Sequence, residues 1–176
     1  MSKKILILPY LILLLIISIF FYLLITDRDP SAIPSVLINK EFPKLEAKSL
    51  LNSEKFIFKN ELMDEITIVN FFASWCKPCR DEHAFIKKFT QEKNIKVIGI
   101  NYKDNPKKAI KWLEKYDNPY SNIAIDRNGI IAIEWGVYGI PETFIINKNG
   151  IILYRHVGPI NRTTYNKINS IIENEK

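Results

Sequence analysis

The sequence is poor in the residues from which metal centres are built. Its 176 residues include only two cysteines, Cys76 and Cys79, and only two histidines, His83 and His156. A structural zinc site usually takes four protein ligands, so a single Cys-x-x-Cys pair is a weak basis for one. The sequence therefore predicts no metal site, and a site that joins His83 to the cysteine pair is the alternative.

Charge is absent from a long N-terminal run, residues 5–25. As a helix this run spans about 30 Å of hydrocarbon, and it exceeds the ~7–15 apolar residues of a cleaved signal peptide. No small-x-small cleavage pattern follows it directly, and no nearby cysteine offers a site for lipid attachment. Lys3 and Lys4 predict that residues 1–4 stay in the cytoplasm. We expect an uncleaved, single-pass signal-anchor, with a cleaved signal peptide as the alternative.

A concentrated basic patch is also lacking, although the formal net charge is +6. The lysines are spread along the chain, and such a spread is typical of solvated surface rather than of a nucleic-acid interface. We therefore predict no nucleic-acid partner. A loose cluster is expected to form a solvated helix face, with an anion-binding patch as the alternative: Lys103, Lys107, Lys108, Lys111 and Lys115.

The remaining chain divides into a tether and one domain. Residues 26–40 contain Pro30 and Pro34 and predict a tether, and residues 41–176 have the length of a single domain. Internal repeats and low-complexity segments are absent from this part of the sequence.

Hydrophobic periodicity predicts an α/β domain. Two apolar strands flank a helix whose inward side is formed by Ala84, Phe85, Ile86 and Phe89, and this order implies a right-handed parallel crossover. The later elements include a hairpin with an Asn-Gly turn, so the central sheet is expected to be mixed and flanked by helices. The predicted elements are strands 66–72, 96–102, 121–126, 143–146 and 151–155, and helices 81–93, 105–116 and 163–173.

Residues 74–80, Ser-Trp-Cys-Lys-Pro-Cys-Arg, follow a predicted central strand. If a helix begins at Cys76, the helix dipole, free backbone N–H groups and Lys77 all favour the thiolate over the thiol. Cys76 is therefore the predicted nucleophile. Cys79, one turn further in and less accessible, is the predicted resolving thiol. Outside the cytoplasm such a pair either rests as a disulfide or is actively kept reduced, and we favour redox work over an inert disulfide.

Two segments carry a resemblance to a known family. VNFFASWCKPCR, at 69–80, resembles the active-site segment of thioredoxin-fold proteins. GVYGIPETFIINKNGIILYRHVG, at 136–158, resembles the CcmG/DsbE family, membrane-anchored thiol:disulfide oxidoreductases of cytochrome c maturation. The similarity runs from about Phe42 to the final helix. It implies a thioredoxin-like fold, a redox-active Cys76–Cys79 disulfide and no bound cofactor.

The resemblance also implies substrate-binding residues. Pro141 matches the family's cis-proline, which turns the backbone of Ile140 towards the active site, where it can pair with an extended substrate segment. Trp75 and Tyr138 are expected to contribute to the docking surface. A purely core role is the alternative for Trp75.

One position departs from ordinary thioredoxins. Those proteins carry a buried Asp six residues before the first cysteine, where this sequence has Asn70. The proton acceptor for Cys79 must then come from elsewhere, and the candidates are Glu82 and Glu142, which match acidic positions of the family. A partly buried carboxylate there would have a raised pKa. The alternative is that both glutamates are ordinary surface acids.

The implied function is reduction outside the cytoplasm. By resemblance, the substrate is the haem-attachment CxxCH disulfide of apocytochrome c, or a cytochrome c maturation thiol protein that holds it. A transmembrane electron donor of the DsbD/CcdA type would recharge the pair, with the domain on the periplasmic side of the bacterial inner membrane. The alternatives are a general periplasmic thiol reductase and a metallochaperone or apocytochrome-binding module.

Overall fold

The N-terminal unit of the chain is a single apolar helix. In the computed structural model, which describes residues 3–25, 36–52 and 54–175, the chain divides into two compact units at residue 32. Helix α1 (Lys3–Ile25) forms the first unit, and its segment Leu8–Ile25 has a mean hydropathy of 2.8 with no buried residue. A membrane-crossing helix and a signal sequence both have this length and composition. Residues 26–35 of the predicted tether lie outside the described residues.

The second unit is built on a mixed five-stranded sheet with the order β5-β4-β3-β6-β7. Strands β4 and β5 run parallel to β3, and β6 and β7 continue the sheet antiparallel. A separate antiparallel pair, β1-β2, precedes it. The strands are β1 (Glu46–Lys48), β2 (Phe56–Phe58), β3 (Thr67–Phe72), β4 (Lys96–Tyr102), β5 (Asn122–Asp126), β6 (Glu142–Ile146) and β7 (Ile152–Val157).

Within residues 36–52 and 54–175, four α-helices cover the sheet, and its two faces carry separate cores. One core contains residues of α2, α3 and α5, and the other contains α4 and the segment that includes Phe42, Leu45 and Ile57. Strand β3 is buried at all six positions, as expected for an apolar central strand covered on both faces. The helices are α2 (Lys77–Gln91), α3 (Pro106–Tyr116), α4 (Ile130–Glu134) and α5 (Arg162–Asn174).

Helix α2 begins four residues earlier than the hydrophobic pattern predicts. Cys76 is its N-cap and Pro78 lies in its first turn, where a missing N–H costs nothing. Of the residues predicted to face inward, Ile86 and Phe89 are fully buried and Phe85 is half-buried. The prediction that Ala84 faces inward is wrong, since Ala84 is exposed.

The predicted hairpin joins β6 to β7. Asn147 accepts hydrogen bonds from the N–H groups of Asn149 and Ile151, both at 3.0 Å, and this fixes the turn. Gly150 has a φ of +79°, and a Cβ there would lie 3.1 Å from the ring of Phe42. The turn therefore requires glycine for its backbone conformation and for the close approach of the aromatic ring.

Helix α4 is absent from the predicted elements. Its first N–H groups are capped by the buried carboxylate of Asp126, which accepts from Ile131 at 3.2 Å and Ala132 at 2.9 Å. Asp126 ends strand β5, so the cap lies well before the helix in sequence. By contrast Asn105, directly before α3, caps Lys107 and Lys108 as predicted.

Candidate active site

The two cysteines lie at the start of α2, directly beyond the carboxyl end of β3. They form a disulfide, and Cys76 Sγ also accepts a hydrogen bond from the N–H of Cys79 at 3.1 Å. The exposed fractions of Cys76 and Cys79 are 4% and 2%. A thiolate on Cys76 would find the same N–H and the positive end of the α2 dipole already in place.

The cis-proline loop borders the sulfur of Cys76. The Ile140–Pro141 peptide bond is cis, and the carbonyl oxygen of Ile140 lies 3.8 Å from Cys76 Sγ. Ile140 itself is half-buried. The backbone on which an extended substrate segment could pair is thus adjacent to the sulfur that would attack it.

Asp104 fixes the loop that precedes the cysteines. Its carboxylate accepts from the N–H of Ser74 at 2.6 Å and the hydroxyl of Ser74 at 2.9 Å, and from Asn101 at 3.1 Å. The adjacent Trp75 donates its indole N–H to the carbonyl of Lys103 at 3.2 Å. Sequence reasoning missed Asp104, because the Asp-Asn-Pro run carries an obvious helix cap in Asn105 and gives no sign of a second role.

The two aromatic side chains predicted to contribute to the docking surface are both exposed. Trp75 is 60% exposed and Tyr138 is 59% exposed, so the core alternative for Trp75 is wrong. A cavity of about 110 Å³ lies next to Cys76. Besides Cys76 itself, its lining residues are Ser74, Trp75, Lys77, Arg80 and Trp112. The surface around Cys76 is therefore aromatic, with two basic side chains at its edge.

Glu82 lies in a buried polar network beneath the cysteines. One carboxylate oxygen accepts from the side-chain amide of Asn70 at 2.8 Å, and the other accepts from the N–H of Ile160 at 2.9 Å. Asn70 is fully buried and Glu82 is 1% exposed, so the surface alternative for Glu82 is wrong. Burial raises the pKa of Glu82 to about 8, although the two N–H donors oppose this shift.

Glu142 has a different environment, dominated by an arginine. Arg155 donates to one carboxylate oxygen from Nε and Nη2, both at 2.7 Å. The other oxygen accepts from the N–H groups of Tyr138 at 3.1 Å and Gly139 at 3.4 Å. Burial raises the pKa of Glu142, and Arg155 and these N–H groups oppose the shift. Glu142 is fully buried, so the surface alternative is wrong here too.

His83 is buried between α2 and α3, so it is not a surface residue. Its Nε2 lies 3.0 Å and 2.8 Å from the carbonyl oxygens of Tyr116 and Asp117, so Nε2 carries the hydrogen and donates to the end of α3. Its buried Nδ1 has no hydrogen-bond partner within residues 3–25, 36–52 and 54–175, and its ring packs edge-on against Trp112. Burial lowers the pKa of His83, which makes the neutral imidazole the stable form.

This histidine predicts a pH dependence of stability. Because its pKa is lower in the folded than in the unfolded protein, its contribution is complete above the unfolded value of about 6.5 and declines as pH falls below it. The free energy of unfolding should lose up to about 1.4 kcal/mol per pH unit from this source. In His83→Gln, which keeps an N–H donor without titrating, that decline should be absent.

The comparison with the unsubstituted chain is essential, because Glu82 changes the pH dependence of stability in the opposite direction to His83. Its raised pKa makes stability fall as pH rises from 4.5 towards 8. Denaturant unfolding at several pH values, measured for both chains in detergent, gives the difference that belongs to His83. Parallel pH profiles for the two chains would contradict the prediction.

The described residues contain no group of three or more His, Cys, Asp or Glu side chains placed to hold a metal ion.

The fold and the cysteine pair define the class of protein to which the chain belongs. A family model described as Redoxin matches residues 38–172, and the chain is a thioredoxin-like thiol:disulfide oxidoreductase. A crystal structure of a putative thiol:disulfide interchange protein DsbE from Chlorobium tepidum superposes with a TM-score of 0.71. It is 21% identical and covers 80% of this chain and 99% of its own, so it supports the fold.

Sequence relatives narrow the class. The thiol:disulfide interchange protein DsbE of Escherichia coli K12 is 39% identical over 92% of this chain and 89% of its own length. The DsbE of Vibrio cholerae is 38% identical over the same shares. The thiol:disulfide interchange protein CycY of Rhizobium leguminosarum is 50% identical over 54% of this chain and 51% of its own length. The chain belongs to the CcmG/DsbE family.

Proposed function

We propose that the protein is a reductant in c-type cytochrome biogenesis. It would reduce the haem-attachment CxxCH disulfide of an apocytochrome c, or the disulfide of a partner thiol protein. The direction of electron flow is inferred from the resemblance of residues 136–158 to the CcmG/DsbE family, and the observation that carries the mechanism is the buried Glu82, three residues after Cys79 on the same helix. A base for the buried thiol is needed in the step in which Cys79 attacks, and that step releases a reduced substrate.

The reaction has two exchange steps. The Cys76 thiolate attacks one sulfur of the substrate disulfide, so a mixed disulfide forms and the second substrate sulfur leaves as a thiolate. Cys79 then loses its proton to Glu82 and attacks Cys76 Sγ, which forms the Cys76–Cys79 disulfide and expels the first substrate sulfur. Two electrons pass to the substrate, and its two thiolates take up protons. Ile140 would pair with the substrate backbone, and Trp75 and Tyr138 would contact its side chains.

Glu82 is the better proton acceptor of the two glutamates. Each oxygen of Glu142 already receives two N–H donors, and two of these four donors belong to the permanently charged Arg155. Each oxygen of Glu82 receives one N–H donor, and no cation from the described part of the chain pairs with it. A proton on Glu82 is therefore easier to accommodate, while a proton on Glu142 would leave a guanidinium with a neutral partner.

Glu82→Gln is expected to slow the release of substrate from the mixed disulfide by about 10- to 100-fold near pH 8, because the general base is lost. In the unsubstituted protein the release rate should rise with pH through about 8, the pKa of Glu82, and this inflection should vanish in the variant. Rapid mixing with a disulfide peptide and acid quenching measures the release step. Glu92→Gln, an exposed change at the end of the same helix, is the matched control. Identical rates and pH profiles in all three proteins would remove Glu82 from the mechanism.

We also propose that α1 is a single-pass anchor in the bacterial inner membrane. Residues 1–4 would stay in the cytoplasm, residues 5–25 would cross the bilayer, and residues 26–40 would tether the domain of 41–176 in the periplasm. The uninterrupted apolar segment of α1 supports this arrangement. A transmembrane donor of the DsbD/CcdA type would resupply electrons. Protease digestion of the domain in spheroplasts, but not in intact cells, is the expected result, and protection in spheroplasts would contradict the orientation.

The substrate is tested by trapping. In Cys79→Ala the first attack is retained and the second cannot occur, so Cys76 should stay linked to its natural partner in cells. Recovery of a c-type apocytochrome or of a maturation thiol protein is the expected result, with Cys76→Ala/Cys79→Ala as the control. A broad set of unrelated periplasmic proteins would instead indicate a general thiol reductase.

A further inference from the structure

Tyr120 is held rigidly beneath the cysteines. It is almost fully buried, and its ring stacks on Phe72 with centroids 4.6 Å apart and an interplanar angle of 21°. A Cβ at Gly99 would lie 2.9 Å from Phe72 and 3.0 Å from Tyr120, so glycine at this position leaves the room that the two rings occupy. The phenol therefore has little freedom to move its hydroxyl.

The hydroxyl of Tyr120 donates to the side-chain oxygen of Asn70 at 2.8 Å. With its oxygen committed there, the Asn70 amide directs its N–H groups to Glu82 at 2.8 Å and to the Thr143 hydroxyl at 3.0 Å. If the amide turned over, its oxygen would face the Glu82 carboxylate. Tyr120 would also lose the carbonyl acceptor of its hydroxyl hydrogen, and burying an unpartnered donor is costly.

We propose that Tyr120 is a positioning residue for proton transfer: its hydroxyl locks the Asn70 amide in the orientation that donates to Glu82. The inference rests on the proposed role of Glu82 as acceptor of the Cys79 proton. Tyr120 reaches Glu82 only through Asn70 and does not itself take part in the exchange.

The lock has a defined chemical effect. An amide N–H stabilises the ionised carboxylate, whereas an amide oxygen can accept only from the protonated acid. Without the Tyr120 hydroxyl, the amide is free to turn over when Glu82 is protonated, which favours the acid. Tyr120 faces Glu82 across the network, and His83 is the next residue on the same helix, while Cys79 is held in the disulfide of the oxidised protein. Of these, only Tyr120 is altered by a Tyr120→Phe substitution.

The test compares Tyr120→Phe with the unsubstituted full chain in detergent. Isotope-edited NMR of the Glu82 carboxyl in the oxidised protein gives its titration midpoint independently of catalysis. We expect an upward shift of about half a pH unit or more, and hence release from the mixed disulfide about threefold slower at pH 7. Tyr165→Phe is the control, because its ring packs against Phe85 and Phe89, away from the network.

The possible outcomes distinguish the role of Tyr120 in orienting Asn70 from the role of Glu82 as proton acceptor. A midpoint in Tyr120→Phe equal to that of the unsubstituted chain would overturn the inference, even if the variant were less stable. If the midpoint shifts in Tyr120→Phe but Glu82→Gln leaves the release rate unchanged, the role of Tyr120 in orienting Asn70 is upheld. Glu82 is then refuted as the proton acceptor. A shifted midpoint together with slow release in both variants supports both.

Discussion

Cys76→Ser is expected to lose thiol:disulfide exchange by a factor on the order of 10³ or more, as removal of a catalytic nucleophile does. The N–H of Cys79 points at the sulfur of Cys76, and the cis-proline loop lies against the same sulfur. Cys79 lies one helical turn further in, and the N–H and the cis-proline carbonyl named here lie against the sulfur of Cys76 instead. Serine preserves the helix cap, but its hydroxyl stays protonated at neutral pH and cannot replace the thiolate in disulfide exchange.

The matched variant is Cys79→Ala, which should react once and stop. Mixed with a synthetic peptide that carries a CxxC disulfide, it is expected to form a stable adduct at a normal rate, whereas Cys76→Ser forms none. Mass spectrometry of the quenched mixture measures both. An adduct on Cys79 in the Cys76→Ser chain, formed at the normal rate, would reverse the assigned roles of the two cysteines.

Arg155→Met is expected to lower the free energy of unfolding by about 3–5 kcal/mol, because it leaves the buried Glu142 without its charged partner. The Arg155 side chain is 8% exposed and that of Glu142 is fully buried, so solvent cannot compensate for the loss. Arg155 Nη2 also donates to the carbonyl of Gly136 at 2.8 Å, and this bond is lost as well. Urea unfolding of the full chain in detergent, followed by tryptophan fluorescence, measures the change.

The double variant Glu142→Gln/Arg155→Met should recover much of this loss, since no charge is then left unpaired. Arg127→Met, an exposed change in the loop after β5, is the control and should alter stability by about 0.5 kcal/mol or less. If Arg155→Met behaved like Arg127→Met, the ion pair would contribute nothing to the stability of the domain.

Local signals predicted most of the fold. The apolar runs of β3 and β4, the Asn-Pro start of α3 and the Asn-Gly turn each depend on residues close together in sequence, and all appear in the structure. Helix α4 was missed for the opposite reason. Its cap, Asp126, is the last residue of a strand, and the five-residue helix is too short for a periodic pattern to emerge.

In the candidate site, too, contacts between residues far apart in sequence could not be predicted. The sequence marked Asn70 as a departure from thioredoxins and named Glu82 as a possible replacement for the missing acid. It could not show that the amide of Asn70 would itself hold Glu82, nor that Tyr120, 50 residues further along, would orient that amide. These contacts depend on how β3, α2 and the loop before β5 pack together, which no single segment encodes.

The clamp between Glu142 and Arg155 has a consequence for how substrates dock. It ties down the loop of residues 136–139, which contains two glycines and would otherwise sample many backbone conformations. Ordering such a loop during association would reduce affinity, because conformational entropy is lost at that moment. Here the entropy is lost when the chain folds. The docking of a peptide beside Ile140, as proposed, would therefore take place on a preorganised edge, which favours rapid capture of successive partners.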